Sequence, residues 1–176
     1  VNHAMQKLQD STDVTEQMLV NLLDLKCKGQ RKFSQSFLEL AKLFADALSL
    51  NDNEKNLLIK AARLHGIGKI GIPDAVLTVP LNAFSDEQFE KYLQYPSFSA
   101  CTLMAYADFQ TVAQIILEQK EYLDGSGYPN GLKSDEIYKL GKILSLLLDY
   151  VVLREGIVTG DLVGHEQAIQ LIRHNI

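Results

Sequence analysis

Apolar residues recur at three- and four-residue steps along almost the whole chain, and this periodicity constrains its fold more than any other feature. Met5, Leu8, Val14, Met18, Leu22 and Leu25 mark a first amphipathic segment over residues 3–27, one helix or two. Phe33, Phe37, Leu40, Ala41, Phe44 and Leu48 repeat the pattern over 33–49. Asn51 followed by Glu54 is a capping-box pair, opening a helix that carries Leu57, Leu58, Ala61 and Leu64. Ser85 with Gln88 opens another, which Pro96 predicts to stop near Tyr95, because the residue before a proline avoids the helical region. Further helices are expected at 97–107 and 109–121, a long apolar one at about 136–154, and an amphipathic one at 165–174. No stretch alternates with period two for long enough to make a strand. The expectation is all-α, a single bundle-like domain with an N-terminal helical extension.

Composition narrows the function classes. The chain of 176 residues is 47% hydrophobic, so it can bury a sizeable core and is not a disordered segment. Its net charge of −5 argues against binding a nucleic acid polymer through phosphate neutralisation. The densest basic run, Lys26, Lys28, Arg31 and Lys32, reads as a solvated linker. No apolar run approaches the length of a membrane span and no signal peptide is visible, so neither membrane insertion nor secretion is expected. Cys27 and Cys101 lack metal-type spacing and read as reduced thiols of a cytoplasmic protein. A start at Val1 and a stop inside a helical pattern at Ile176 suit a piece of a longer protein.

Two motifs carry chemistry. The first, LHGIGKIGIPDAVL at 64–77, breaks the helical pattern with Gly66, Gly68, Gly71 and Pro73, so it straddles a helix end and the loop after it. The second, DGSGYPNGL at 124–132, is rich in turn residues and separates the middle helices from the long apolar one. Together they resemble the HD-GYP branch of the HD phosphohydrolase superfamily, from about Phe33 to the C-terminus. The resemblance implies an HD-domain helical bundle over residues 33–176, with residues 1–32 as a helical connector. Active members of that family hold a small cluster of iron or manganese ions and hydrolyse the bacterial second messenger cyclic di-GMP.

The matching positions depart from the family pattern in one direction. The family's histidine ahead of the second helix aligns with Phe33. His65 is kept, but the aspartate of the His-Asp pair is Gly66. A later His-Pro motif reads Tyr95-Pro96. The paired histidines before the second motif read Gln119-Lys120, followed by a retained Glu121, and Asp149 corresponds to the family's final aspartate. Catalytic metals need about three protein ligands each, and a lysine at position 120 places a cation where the cluster would sit. The resemblance therefore implies a degenerate, phosphodiesterase-like site without a resident metal, whose remnants are His65, Lys69, Glu121 and Asp149.

Each retained feature has two readings. His65, at a helix end, either bonds a free carbonyl and gains from the helix dipole or is a weak metal ligand. Lys69 either meets a phosphate or is an ordinary loop lysine. The glycines of the first motif shape the loop or cradle phosphate. Gly127, Tyr128 and Pro129 are either kept for folding or, as the resemblance implies, contact a GGDEF-type partner protein that makes cyclic di-GMP. The apolar stripe around Met18–Leu25 belongs to a core or pairs two copies as a homodimer. The leading expectation is a catalytically silent signalling or docking domain of a cyclic di-GMP pathway protein, such as a response regulator. The alternatives are a phosphodiesterase rebuilt around Glu121, Asp124 or Asp149, and a receptor that holds cyclic di-GMP with Lys69 and Lys120 without cutting it.

Overall fold

A computed structural model describes the backbone of residues 2–27, 31–158 and 160–174, and the side chains from residue 11 onward except those of 31–33 and 174. The side chains of His3, Met5, Leu8, Lys28, Arg31, Lys32, Phe33 and His174 lie outside that set. Among the described residues every regular element is helical. In chain order these are α1 (Asn2–Lys26), α2 (Arg31–Ala47), α3 (Asp52–Leu64), α4 (Asp74–Leu77), α5 (Asp86–Tyr92), α6 (Tyr95–Met104), α7 (Gln110–Leu117), α8 (Lys139–Arg154) and α9 (His165–His174).

Local chemistry sets several of the boundaries. Asn51 accepts from the Glu54 amide at 2.9 Å while the Glu54 carboxylate accepts from the Asn51 amide at 3.1 Å, a reciprocal cap that starts α3. Ser85 and Gln88 start α5 in the same way. Several boundaries differ from the sequence expectation. α5 ends at Tyr92, and α6 begins at Tyr95 with Pro96 in its first turn, where a missing amide hydrogen costs no helical bond. α7 stops at Leu117 rather than running to 121, which frees residues 118–121 to point in different directions.

The core gathers Phe37, Ala41 and Ala45 of α2, Leu58, Ala61 and Leu64 of α3, Leu103 of α6, Val112, Ala113, Ile115 and Ile116 of α7, and Leu140, Leu144, Leu147, Leu148 and Val151 of α8. α1 lies against this body: Leu23 is buried in the core, and Glu16 pairs with Arg63 of α3 at 2.6 Å. A smaller cluster of Ile72, Val76, Tyr92 and Tyr95 closes the bundle beside the first motif. α9 is held to α8 by Tyr150, whose hydroxyl lies 2.8 Å from His165 Nδ1, and by Arg154 donating to the Val163 carbonyl at 2.8 Å.

Candidate functional site

The first motif leaves α3 through His65, passes through a 3-10 turn over Ile67–Gly71 and enters α4. This turn is pressed onto the start of α6. A Cβ on Gly68 would stand 2.2 Å from the Tyr95 carbonyl oxygen and 2.6 Å from the Ser99 amide nitrogen, so no larger residue fits. The Gly68 amide donates to Ser99 Oγ at 2.8 Å. Gly66 is different: an added Cβ would meet only side-chain carbons of Leu23 and Lys69 at 3.6 Å, and its φ of −101° suits any residue. Space does not require glycine there.

His65 is buried. Its Nδ1 donates to the Ala62 carbonyl at 2.8 Å, leaving the lone pair on Nε2, and Phe37 packs edge-on at 4.8 Å between ring centroids. Burial first, then the nearby Lys69 charge, lowers its pKa to about 3. The ring is neutral, so it bonds a helix-end carbonyl as expected but takes no cationic gain from the helix dipole. Its backbone carbonyl is a hub, accepting from Ser99 Oγ at 3.2 Å and Gln119 Nε2 at 3.1 Å. Gln119 Oε1 is buried with no hydrogen-bond partner among the described residues.

The cations around His65 are held internally. Lys69, only 8% exposed, lies 5.1 Å from the Tyr95 ring centre and 5.9 Å from that of Tyr92. Lys120 Nζ stands 2.6 Å from Asp149 Oδ1 of α8, with the two side chains 12% and 26% exposed. Burial is the largest influence on Lys120 and opposes its charge, but the Asp149 carboxylate with its hydrogen bond, joined by Tyr122 and Tyr128, outweighs burial and holds the pKa above the usual lysine range. Burial raises the hydroxyl pKa values of Tyr95, Tyr122 and Tyr128. The inner end of the bundle is therefore one ion pair and one buried ammonium set among neutral phenols.

The second motif folds back on residues 120–122. Tyr128 donates its amide to the Lys120 carbonyl at 2.9 Å, and Gly127 is pressed so close that a Cβ would stand 2.4 Å from that oxygen. Glu121 is buried and clamps the loop: Oε1 accepts from the Asn130 amide at 2.6 Å and Oε2 from the Leu132 amide at 2.9 Å. Asp124 is used locally, accepting from Ser126 N and Oγ. Tyr128 is half-buried, turned toward Tyr95 and Lys120, while Pro129 and Leu123 are exposed.

The structure thus brings His65, Lys69, Lys120, Asp149 and Tyr128 toward one end of the bundle and assigns Glu121 to the loop. It adds residues that sequence reasoning gave no role. Ser99 carried no visible signal. Tyr92 and Tyr95 carried no more, although with Tyr122 and Tyr128 they lie around the two lysines.

This donor set does not fit a hydrolytic metal cluster. Among the described residues no three of His, Cys, Asp or Glu converge. Of the retained remnants Asp149 is neutralised by an ammonium, Glu121 spends both oxygens on amides, and position 66 offers no side chain. The space bounded by Leu23 and Asp24 of α1, Cys27 just beyond it, Ser34 of α2, and His65, Gly66 and Lys69 is about 10 Å³, room for about one water.

The comparisons agree with this architecture. The profile of the HD domain family matches residues 17–175, and the chain belongs to that family of HD-domain phosphohydrolases. It is similar to the 3'3'-cGAMP-specific phosphodiesterase 3 of Vibrio cholerae, 28% identical over 124 residues, covering 70% of this chain and 27% of that protein. It is also similar to the cyclic di-GMP phosphodiesterase response regulator RpfG of Xanthomonas campestris, 28% identical over 145 residues, 81% of this chain and 38% of that protein. A cyclic di-GMP phosphodiesterase of Thermotoga maritima is 42% identical over 88 residues, 49% of this chain and 24% of that protein. The chain spans between 24% and 38% of the length of these relatives. No helix among the described residues is long and apolar enough to cross a membrane.

Proposed function

We propose that this chain is a non-hydrolysing HD-GYP-type module of a cytoplasmic cyclic di-GMP pathway protein, such as a response regulator, and that it signals by docking rather than by cleavage. The observation that carries the reading is the 2.6 Å contact between Lys120 Nζ and Asp149. An ammonium on the last remaining aspartate repels a divalent ion from the position where it would be needed. A phosphodiesterase rebuilt on Glu121, Asp124 or Asp149 is disfavoured because all three carboxylates already accept hydrogen bonds from protein donors. A cyclic di-GMP receptor using Lys69 and Lys120 is disfavoured by the cation–π and ion-pair contacts that hold them, and by the small size of the space beside His65.

The loop of Gly127, Tyr128 and Pro129 is the docking element of this reading, with a GGDEF-type protein as its partner. Its backbone is held by Glu121 and the Lys120 carbonyl, and it presents Leu123 and Pro129 outward. The test is incubation of the purified chain with cyclic di-GMP and with 3'3'-cGAMP in the presence of ferrous iron or manganese, followed by chromatography of the nucleotides. The expected result is unchanged cyclic nucleotide; linear product at a rate proportional to protein would overturn the proposal. Capture of a GGDEF-type protein by the chain should weaken on Tyr128→Ala and on Leu123→Glu, and equal capture by both variants removes the loop from the account.

A further inference from the structure

Helix α1 is apolar on two opposite sides. One side is seated on its own domain through buried Leu23, with Leu19, Val20 and Cys27 packed around it. The other carries Val14, Met18, Leu22 and Leu25, exposed to 70%, 56%, 45% and 66%. A surface helix keeps one apolar stripe and turns a charged face to water, whereas a helix apolar on both sides is covered on both. The outward face also has its own period. Thr15, Met18, Leu22 and Leu25 alternate three- and four-residue steps, and Leu8 stands seven residues before Thr15. That spacing is the one a coiled-coil seam uses.

Charge indicates what covers the seam. From position 14 to 25 the exposed residues of α1 are Val14, Gln17, Met18, Asn21, Leu22 and Leu25, none of them charged. Pairing about a two-fold axis presents this face to itself, where a charge lying near the axis would meet its like. A neutral face is compatible with its own copy and offers nothing by which a charged partner would recognise it. The amides of Gln17 and Asn21 both donate and accept, so they too can pair across such an axis.

We propose that the outward face of α1 is a self-association surface on which a second copy of this chain seats its own α1, with the two bundles on opposite sides of the paired helices. Sedimentation of the chain across the micromolar range tests this. The expected result is a monomer–dimer equilibrium that Met18→Glu combined with Leu22→Glu weakens roughly a hundredfold. Leu43→Glu, at a leucine of α2 that is 65% exposed, leaves the equilibrium unchanged. Both α1 positions are exposed, so unchanged helical circular dichroism confirms that the double variant is folded. A wild-type chain that stays monomeric throughout, or a dimer that survives the double substitution, overturns the proposal.

Discussion

At the scale of single residues, His65 and the neighbouring glycines show how burial and close packing set the chemistry of the first motif. The His65 ring is neutral because burial and Lys69 depress its pKa from 6.5 to about 3. Between those values the unfolded chain binds a proton that the folded chain refuses, so stability falls as pH falls through that window. The expected loss between pH 6.5 and 5 is about 1.5 kcal/mol beyond that of a His65→Gln variant. Chemical denaturation at the two pH values measures it, and parallel losses in the two proteins would contradict the assignment. The glycines divide by packing. Gly68→Ala must displace the Tyr95 carbonyl and should cost about 3 kcal/mol, whereas Gly66→Ala meets only ordinary contacts and should lie within about 1 kcal/mol of neutral. Thermal melts of the two variants separate these outcomes.

At the scale of elements, the turn after α7 organises the site. Residues 118–121 have good helical propensity, and α7 still ends at Leu117. Glu118 accepts from the Tyr138 amide at the head of α8 at 2.6 Å, Gln119 reaches His65, Lys120 reaches Asp149, and Glu121 holds the second loop. Tertiary partners override propensity here, so the element was not legible from its own sequence. The two capping boxes were legible because their partners are three residues apart. Lys120→Met leaves Asp149 partly buried without its cation and should cost about 2–4 kcal/mol. Removing Asp149 as well, as Asp149→Leu, should restore much of that loss, giving a coupling of about 1–3 kcal/mol in a double-mutant cycle. Additive losses would mean that the two side chains do not act as a pair.

At the scale of the whole molecule, helical periodicity was enough to find the longer helices and the all-α class, because burial of one face per helix is a local pattern. The two loop motifs were enough to place the family. What the sequence did not reveal was where the charges go. Lys69 lies against Tyr92 and Tyr95, and Lys120 against Asp149, through contacts that join segments distant in the chain. The bundle thereby neutralises its interior with its own side chains, and α1 with α2 closes over His65. The most direct test is metal retained after the chain is loaded anaerobically with ferrous iron or manganese and passed through a desalting column, read by elemental mass spectrometry. Our account predicts far less than one equivalent per chain; one or more equivalents held through the column would contradict it.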